Sequence, residues 1–166
     1  SGPDIDPEGA LFDFRSNVFY NWGGARSGYN ADEASLAKYN FVNNSYVAGP
    51  DSKEPIAFHE SNTLARAYWA GNSMNGAVPA DQWTLVAGLT PPEYRLAGAV
   101  DVAPVAADPA DQAYARVLAG AGASRYRDSV DDRVVQGVRT RTGRQIDTQS
   151  QDGGWPELPT APAPRD

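Results

Sequence analysis

The chain has 166 residues, 41% hydrophobic and 21% charged, which fits one globular domain with a real core and excludes wholesale disorder. A net charge of −7 and a pI of about 4.6 argue against a nucleic-acid partner, which needs clustered Lys and Arg. An anionic sugar stays open, because a local basic cleft or a bound cation can outweigh the global sign. With no cysteine and a single histidine, His59, disulfides, thiolate metal sites and His-cluster zinc sites are excluded, as is any Ser-His-Asp triad not built on His59.

The first predicted element is the run FDFRSNVFY from Phe12, two short alternating stretches on either side of an Asn. The stretch Trp22 to Ala34 has a Gly pair and no apolar period, so it reads as a loop with at most one short strand. The pattern returns as YNFVNNSYV from Tyr39. Another spacer, Gly49 to Glu60, follows, with Lys53 in a Pro-flanked loop and His59 after the apolar run Ile56-Ala57-Phe58. The third occurrence is AYWAGNSMN from Ala67.

The three runs align without gaps at offsets of 27 and 28 residues. Internal repetition of that length is the signature of a solenoid. Phe14, Phe41 and Trp69 fall in one column, and Phe19, Tyr46 and Met74 in another. Side chains alternate across a strand, so both columns can share a buried face. Asp13, Asn40 and Tyr68 form a more polar column expected to face outward. Asn17, Asn44 and Asn72 form a column between the strands, suited to left-handed turn backbone and to amide-to-amide bonding from coil to coil. An antiparallel meander with Asn in its hairpins is the plainer alternative. Hairpin turns usually set Gly beside that Asn, yet Val18 and Ser45 follow Asn17 and Asn44.

Beyond the repeat, Pro79 to Val105 is proline-rich and irregular, with Trp83 and Leu85 expected to pin it to the solenoid. Ala110, Tyr114, Val117, Leu118 and Ala121 have the spacing of an amphipathic helix, entered through Asp108-Pro109 and ended by Gly120 and Gly122. Val130, Val134, Val135 and Val138 predict a second helix, capped by Asp128 or Ser129 and stopped at Gly143. The two helices would cover the open end or a side of the solenoid. The expected organisation is therefore coils over residues 1–100, a helical segment over 101–145 and an extended tail over 146–166. Asp101, Asp108, Asp111, Asp131 and Asp132 lack the spacing of a calcium loop and read as solvated faces. No apolar run approaches the roughly 20 residues of a bilayer span and no leader pattern is visible, so no membrane partner is expected.

FDFRSNVFYNWGG, SGYN, YNFVNNSYVAGP and AYWAGNSMNG resemble the later coils of bacterial pectate lyases. DQAYARVLAGAGAS, RDSVDDRVVQGVRTRTG and QIDTQSQDGGWPEL resemble that family's C-terminal segments, so the likeness runs from about Ala10 to Leu158. The resemblance implies a right-handed parallel β-helix of three strands per coil, with an Asn ladder and C-terminal helices packed on the solenoid. It further implies cleavage of polygalacturonate by β-elimination, calcium bridging the substrate carboxylates and an arginine removing the C5 proton. It places the protein in a secreted or periplasmic setting.

An arginine holds its proton above about pH 12, so it acts as a base only in a site built to lower that value. The family carries that arginine in an Arg-x-Pro-x-x-Arg-like element, and no Arg-x-Pro occurs here. The base and the main calcium ligands are thus expected upstream, and the N-terminal half of the same enzyme is the expected partner. No catalytic or metal-binding residue is assigned within the chain. The family's cleft walls fall at the spacers, which makes Arg26 (a carboxylate fork), Tyr29 (a stacking face), Lys53 and His59 the candidate sugar contacts. Their plainer roles are a solvated loop arginine, a packing tyrosine, an exposed lysine and a hydrogen-bonded strand histidine. Arg15 suits an ion pair with Asp13. A non-catalytic carbohydrate-binding or structural β-solenoid is the competing reading, and an unrelated all-β domain with a helical tail a third.

Overall fold

The computed structural model describes residues 7–156. The first coil consists of β1 (Ala10–Arg15), β2 (Val18–Tyr20) and β3 (Gly24–Asn30). The second consists of β4 (Ala37–Val42), β5 (Ser45–Val47) and β6 (Ser52–Glu60). The third consists of β7 (Arg66–Ala70), β8 (Ser73–Met74) and β9 (Val86–Gly88). Strands of equal rank stack into three parallel sheets, β1-β4-β7, β2-β5-β8 and β3-β6-β9. The fold is a parallel β-helix.

Its register is the one the repeat requires. Phe14 pairs with Phe41 and Phe41 with Trp69; Phe19 pairs with Tyr46 and Tyr46 with Met74. The rings pile face to face, with centroids 5.2 Å apart for Phe14–Phe41, 4.1 Å for Phe41–Trp69 and 4.8 Å for Phe19–Tyr46. Such contacts add about 0.5–1.5 kcal/mol each beyond the area they bury.

The Asn column is a ladder. Asn17 Nδ2 donates to Asn44 Oδ1 at 3.0 Å, and Asn44 Nδ2 donates to Asn72 Oδ1 at 2.9 Å. The same oxygens accept the backbone N–H of Asn17 and of Asn44. Asn44 and Asn72 also donate to the carbonyls of Phe14 and Phe41. Gln82 closes the row from outside the repeat: its Oε1 accepts from Asn72 N and Nδ2, and its Nε2 donates to Asn72 O. The left-handed residue of each corner is the one before the ladder Asn (Ser16, Asn43, Gly71), not the Asn itself. The ladder side chains serve as hydrogen-bonding groups, and their neighbours take the strained backbone.

The structure corrects the sequence expectation at several points. The spacers are strands: Trp22 to Ala34 supplies the seven-residue β3, and Lys53 lies in the nine-residue β6. The gapless repeat misses them because β6 gains two residues where the pairing shifts, from Gly24↔Ser52 to Arg26↔Ile56. Asn40 points out of the coil yet is fully buried. The segment beyond the third coil crosses over it, with Asn40 Nδ2 donating to Val100 O at 2.9 Å and Asn40 Oδ1 accepting from Val100 N at 2.8 Å. Arg15 does pair with Asp13, at 2.7 Å.

Leu85 and Tyr94 are buried from short 3-10 turns at Gln82–Leu85 and Pro92–Tyr94, with Trp83 packed against the same core. Helix α1 (Ala110–Gly120) then docks on the side of the solenoid, not its end, against β2 and β5. Ser45 Oγ donates to Ala110 O at 2.8 Å. Asp108 does not cap α1; Pro109 occupies the cap position, and Asp108 pairs with Arg116. The carbonyls of Leu118, Ala119 and Ala121 accept from Arg127. Helix α2 (Ser129–Thr140) is capped by Asp128 and stops at Arg141, in left-handed backbone, two residues before the expected Gly143. In the tail, Gln149–Asp152 form a 3-10 turn that Arg133 ties to α2. Residues 157–166 of the expected tail lie outside the described residues. No helix among the described residues is long and apolar enough to cross a membrane.

Asn44→Ala strands the half-buried Asn17 N–H and removes donors to Phe14 O and Asn72, so it should destabilise the fold by about 2–4 kcal/mol. Asn17→Ala, at the edge of the row, should cost about half as much. Denaturant midpoints of the two variants check the ranking; equal, small losses would contradict a ladder.

Candidate functional site

Two of the three sheets are occupied on their outer faces. The segment around Val100 crosses the outer face of β4, and α1 packs on β2 and β5. The outer face of β3-β6-β9 keeps a large aromatic in solvent: Tyr29 is 65% exposed. Its register partner is His59, whose own partner is Ala87. The flanking Phe58 and Glu60 point inward and are buried, as strand alternation requires.

Arg26 sits with its guanidinium carbon 5.4 Å from the Tyr29 ring centroid, within cation–π range. Tyr29 thus meets Arg26 through its ring and His59 through strand register, while Arg26 itself pairs with Ile56. Lys53 is exposed near the start of β6, six residues and about 20 Å of strand rise from His59, so it is no part of that group. A planar cation over an aromatic face, beside an imidazole on an open strand surface, suits a flat, carboxylate-bearing ring.

Directly beneath lies a group that the sequence reading passed over as a mere flank of His59. Glu60 is fully buried and pairs in register with Asn30 and Gly88. Its Oε1 accepts from the Asn62 N–H at 2.8 Å, while Oε2, Asn30 Nδ2, Trp69 Nε1 and Tyr94 OH are buried without a well-formed hydrogen bond. Burial pushes the Glu60 carboxyl above its ordinary value, against the lowering effect of hydrogen bonds from Asn62, Ser61, Asn30 and Tyr94. Burial, followed by the charge of Glu60, pushes the Tyr39 phenol up to about 12. Gly88 is obligatory here: its φ is +93°, and a Cβ would strike the Glu60 carbonyl at 2.1 Å. No signal in the sequence marks Glu60, since its burial depends on β9 closing the third coil.

Among the described residues no cluster of three or more His, Asp or Glu side chains could hold a metal ion. These residues do not by themselves offer calcium the six to eight oxygens it takes.

Among curated proteins, the chain is similar to three fungal proteins each named "Probable pectate lyase C". It is 29% identical to that of Aspergillus flavus over 166 residues, 28% to that of Aspergillus oryzae over 166 residues and 30% to that of Aspergillus terreus over 168 residues. The likeness is to pectate lyases. These relatives are fungal, so the bacterial members that the sequence brought to mind find no support. Each alignment covers 93% of this chain but 38% of the relative, so the chain spans well under half the length of the proteins it matches. No family model matches the chain, and no solved structure does.

Glu60 gives the site a pH signature. Its folded-state value lies above the ordinary 4.5, so the folded state holds the proton more tightly than the unfolded one. The stability this group contributes is complete below pH 4.5 and is lost as pH rises through the folded value. The carboxyl of Asp32 is lowered below its ordinary 3.8, first by the Ala34 N–H, and works in the opposite direction only in more acid solution. Melting temperature should therefore rise as pH falls through the folded value toward 4.5, and Glu60→Gln should flatten that rise. An unchanged profile in the variant would place the titrating group elsewhere.

Proposed function

We propose that this chain forms the C-terminal coils of a pectate lyase, and that the outer face of β3-β6-β9 walls one end of its groove for polygalacturonate. The observation that carries the reading is Tyr29, 65% exposed on the outer face of β3, with Arg26 against its ring and half-buried His59 as its register partner. The names of the fungal relatives support it. In this reading Arg26 takes a uronate carboxylate, Tyr29 stacks on a sugar ring and His59 bonds a hydroxyl. Lys53 attracts the chain further along the strand.

The arginine base and the calcium ligands then belong to coils that pair with β1. The first coil is apolar on that side, with Leu11 40% and Phe12 43% exposed, and an uncovered strand edge of this kind invites another strand. The partner proposed for it is the N-terminal half of the same enzyme, in a secreted or periplasmic protein. Calcium, when held there, would offset the charge of substrate carboxylates; the residues of this chain bind and orient the sugar.

Polygalacturonate cleavage, followed through the absorbance of the unsaturated product, should appear only when this chain is joined to the upstream half. Activity from this chain alone would misplace the base. Inactivity of the joined protein, with the glycan still bound, would favour the second reading, a non-catalytic carbohydrate-binding solenoid. In the joined protein Tyr29→Ala should raise KM about fivefold, the loss of roughly 1 kcal/mol of stacking, with kcat within about twofold. An unchanged KM would remove Tyr29 from the groove.

A further inference from the structure

A second cavity lies on a different face. Between the β2-β5-β8 sheet and the two helices opens a cleft of about 600 Å³, the size range of small-ligand sites. Its floor is polar and built: Ser45 and Ser73 are 3% and 5% exposed. Ser73 Oγ donates to Ser45 Oγ at 3.3 Å, and Ser45 Oγ donates on to Ala110 O at 2.8 Å. This relay leaves the lone pairs of Ser73 Oγ able to accept from a ligand hydroxyl.

Two cations reach the same cleft from the end of α2. Arg139 makes no ion pair or hydrogen bond among the described residues, in a chain with more acids than bases. Arg141 is held in left-handed backbone, φ 56°, with Nη2 donating to Asn75 O at 3.1 Å. That contact leaves most of its guanidinium donors uncommitted. Tyr114 and Val78 supply an apolar wall, and Asp111 supplies an acceptor for hydroxyl groups.

We propose that this cleft binds a short carboxylate-bearing saccharide. Arg139 and Arg141 take the carboxylate, Ser73 and Asp111 meet hydroxyls, and Tyr114 with Val78 lies against the ring. The ligand class follows from the lining, on a sheet other than the one that carries Arg26, Tyr29 and His59. This site can therefore fail while the groove reading stands, and the reverse.

Calorimetric titration of the 166-residue chain with digalacturonate, a neutral galactose disaccharide and acetate tests the proposal. Saturable binding of the acidic disaccharide is expected, about tenfold tighter than either of the others. Arg139→Ala, an exposed change outside the core, should weaken it about tenfold, and Tyr126→Ala, an exposed change outside the cleft lining, should leave it unchanged. Equal binding of acidic and neutral sugars, no binding, indifference to Arg139→Ala or loss on Tyr126→Ala would each overturn it.

Discussion

The amide ladder is the constraint on which the rest of the molecule depends. A solenoid corner turns its backbone inward, where no water can satisfy it, and each buried N–H or C=O left unpaired costs about 1–3 kcal/mol. Asn44 satisfies groups in the coil before and the coil after. It does so only if successive corners lie directly above one another. Once they do, the flanking strands have no freedom of register, and the rings of Phe14, Phe41 and Trp69 must meet. Ladder and aromatic stack are one geometric condition seen from the two sides of a corner.

That condition holds tightly at the corner between the first two sheets and loosely elsewhere. The third sheet takes up two extra residues at the start of β6, where the pairing shifts, and its preceding corner is tied coil to coil by Asn21 and Asp51 instead of by the ladder. Function is expected where the scaffold is permissive and the face is open. The other faces are closed by the crossing segment at Val100 and by docked α1. The open sheet carries the exposed aromatic, and beneath it buried Glu60 lies beside Asn30 of the first coil and Tyr94 beyond the third.

The parts of this architecture legible in the sequence are those that repeat with a fixed period. The columns of Phe14 and Asn17 recur at 27 and 28 residues, so the coils, two of the three sheets and the ladder could be read directly. Helices α1 and α2 were legible from apolar spacing, because side-chain periodicity reports a helix face wherever it packs. The third sheet was obscured by the insertion in β6, and Gln82 by its lying ten residues beyond Asn72. Buried Asn40 and Glu60 were hidden for another reason. A polar residue is covered only when a distant segment folds over it, and no local pattern announces that contact. Among the candidate contacts, Tyr29 meets His59 through strand register and Arg26 through its ring, whereas Lys53 is separated from them by the length of β6.

The most direct examination of the account is a crystal structure of the chain joined to its upstream half, soaked with an oligogalacturonate. The account predicts sugar density along the exposed face of β3-β6-β9, with one ring against Tyr29 and a carboxylate within reach of Arg26. An oligosaccharide seated elsewhere, with that face bare, would contradict it.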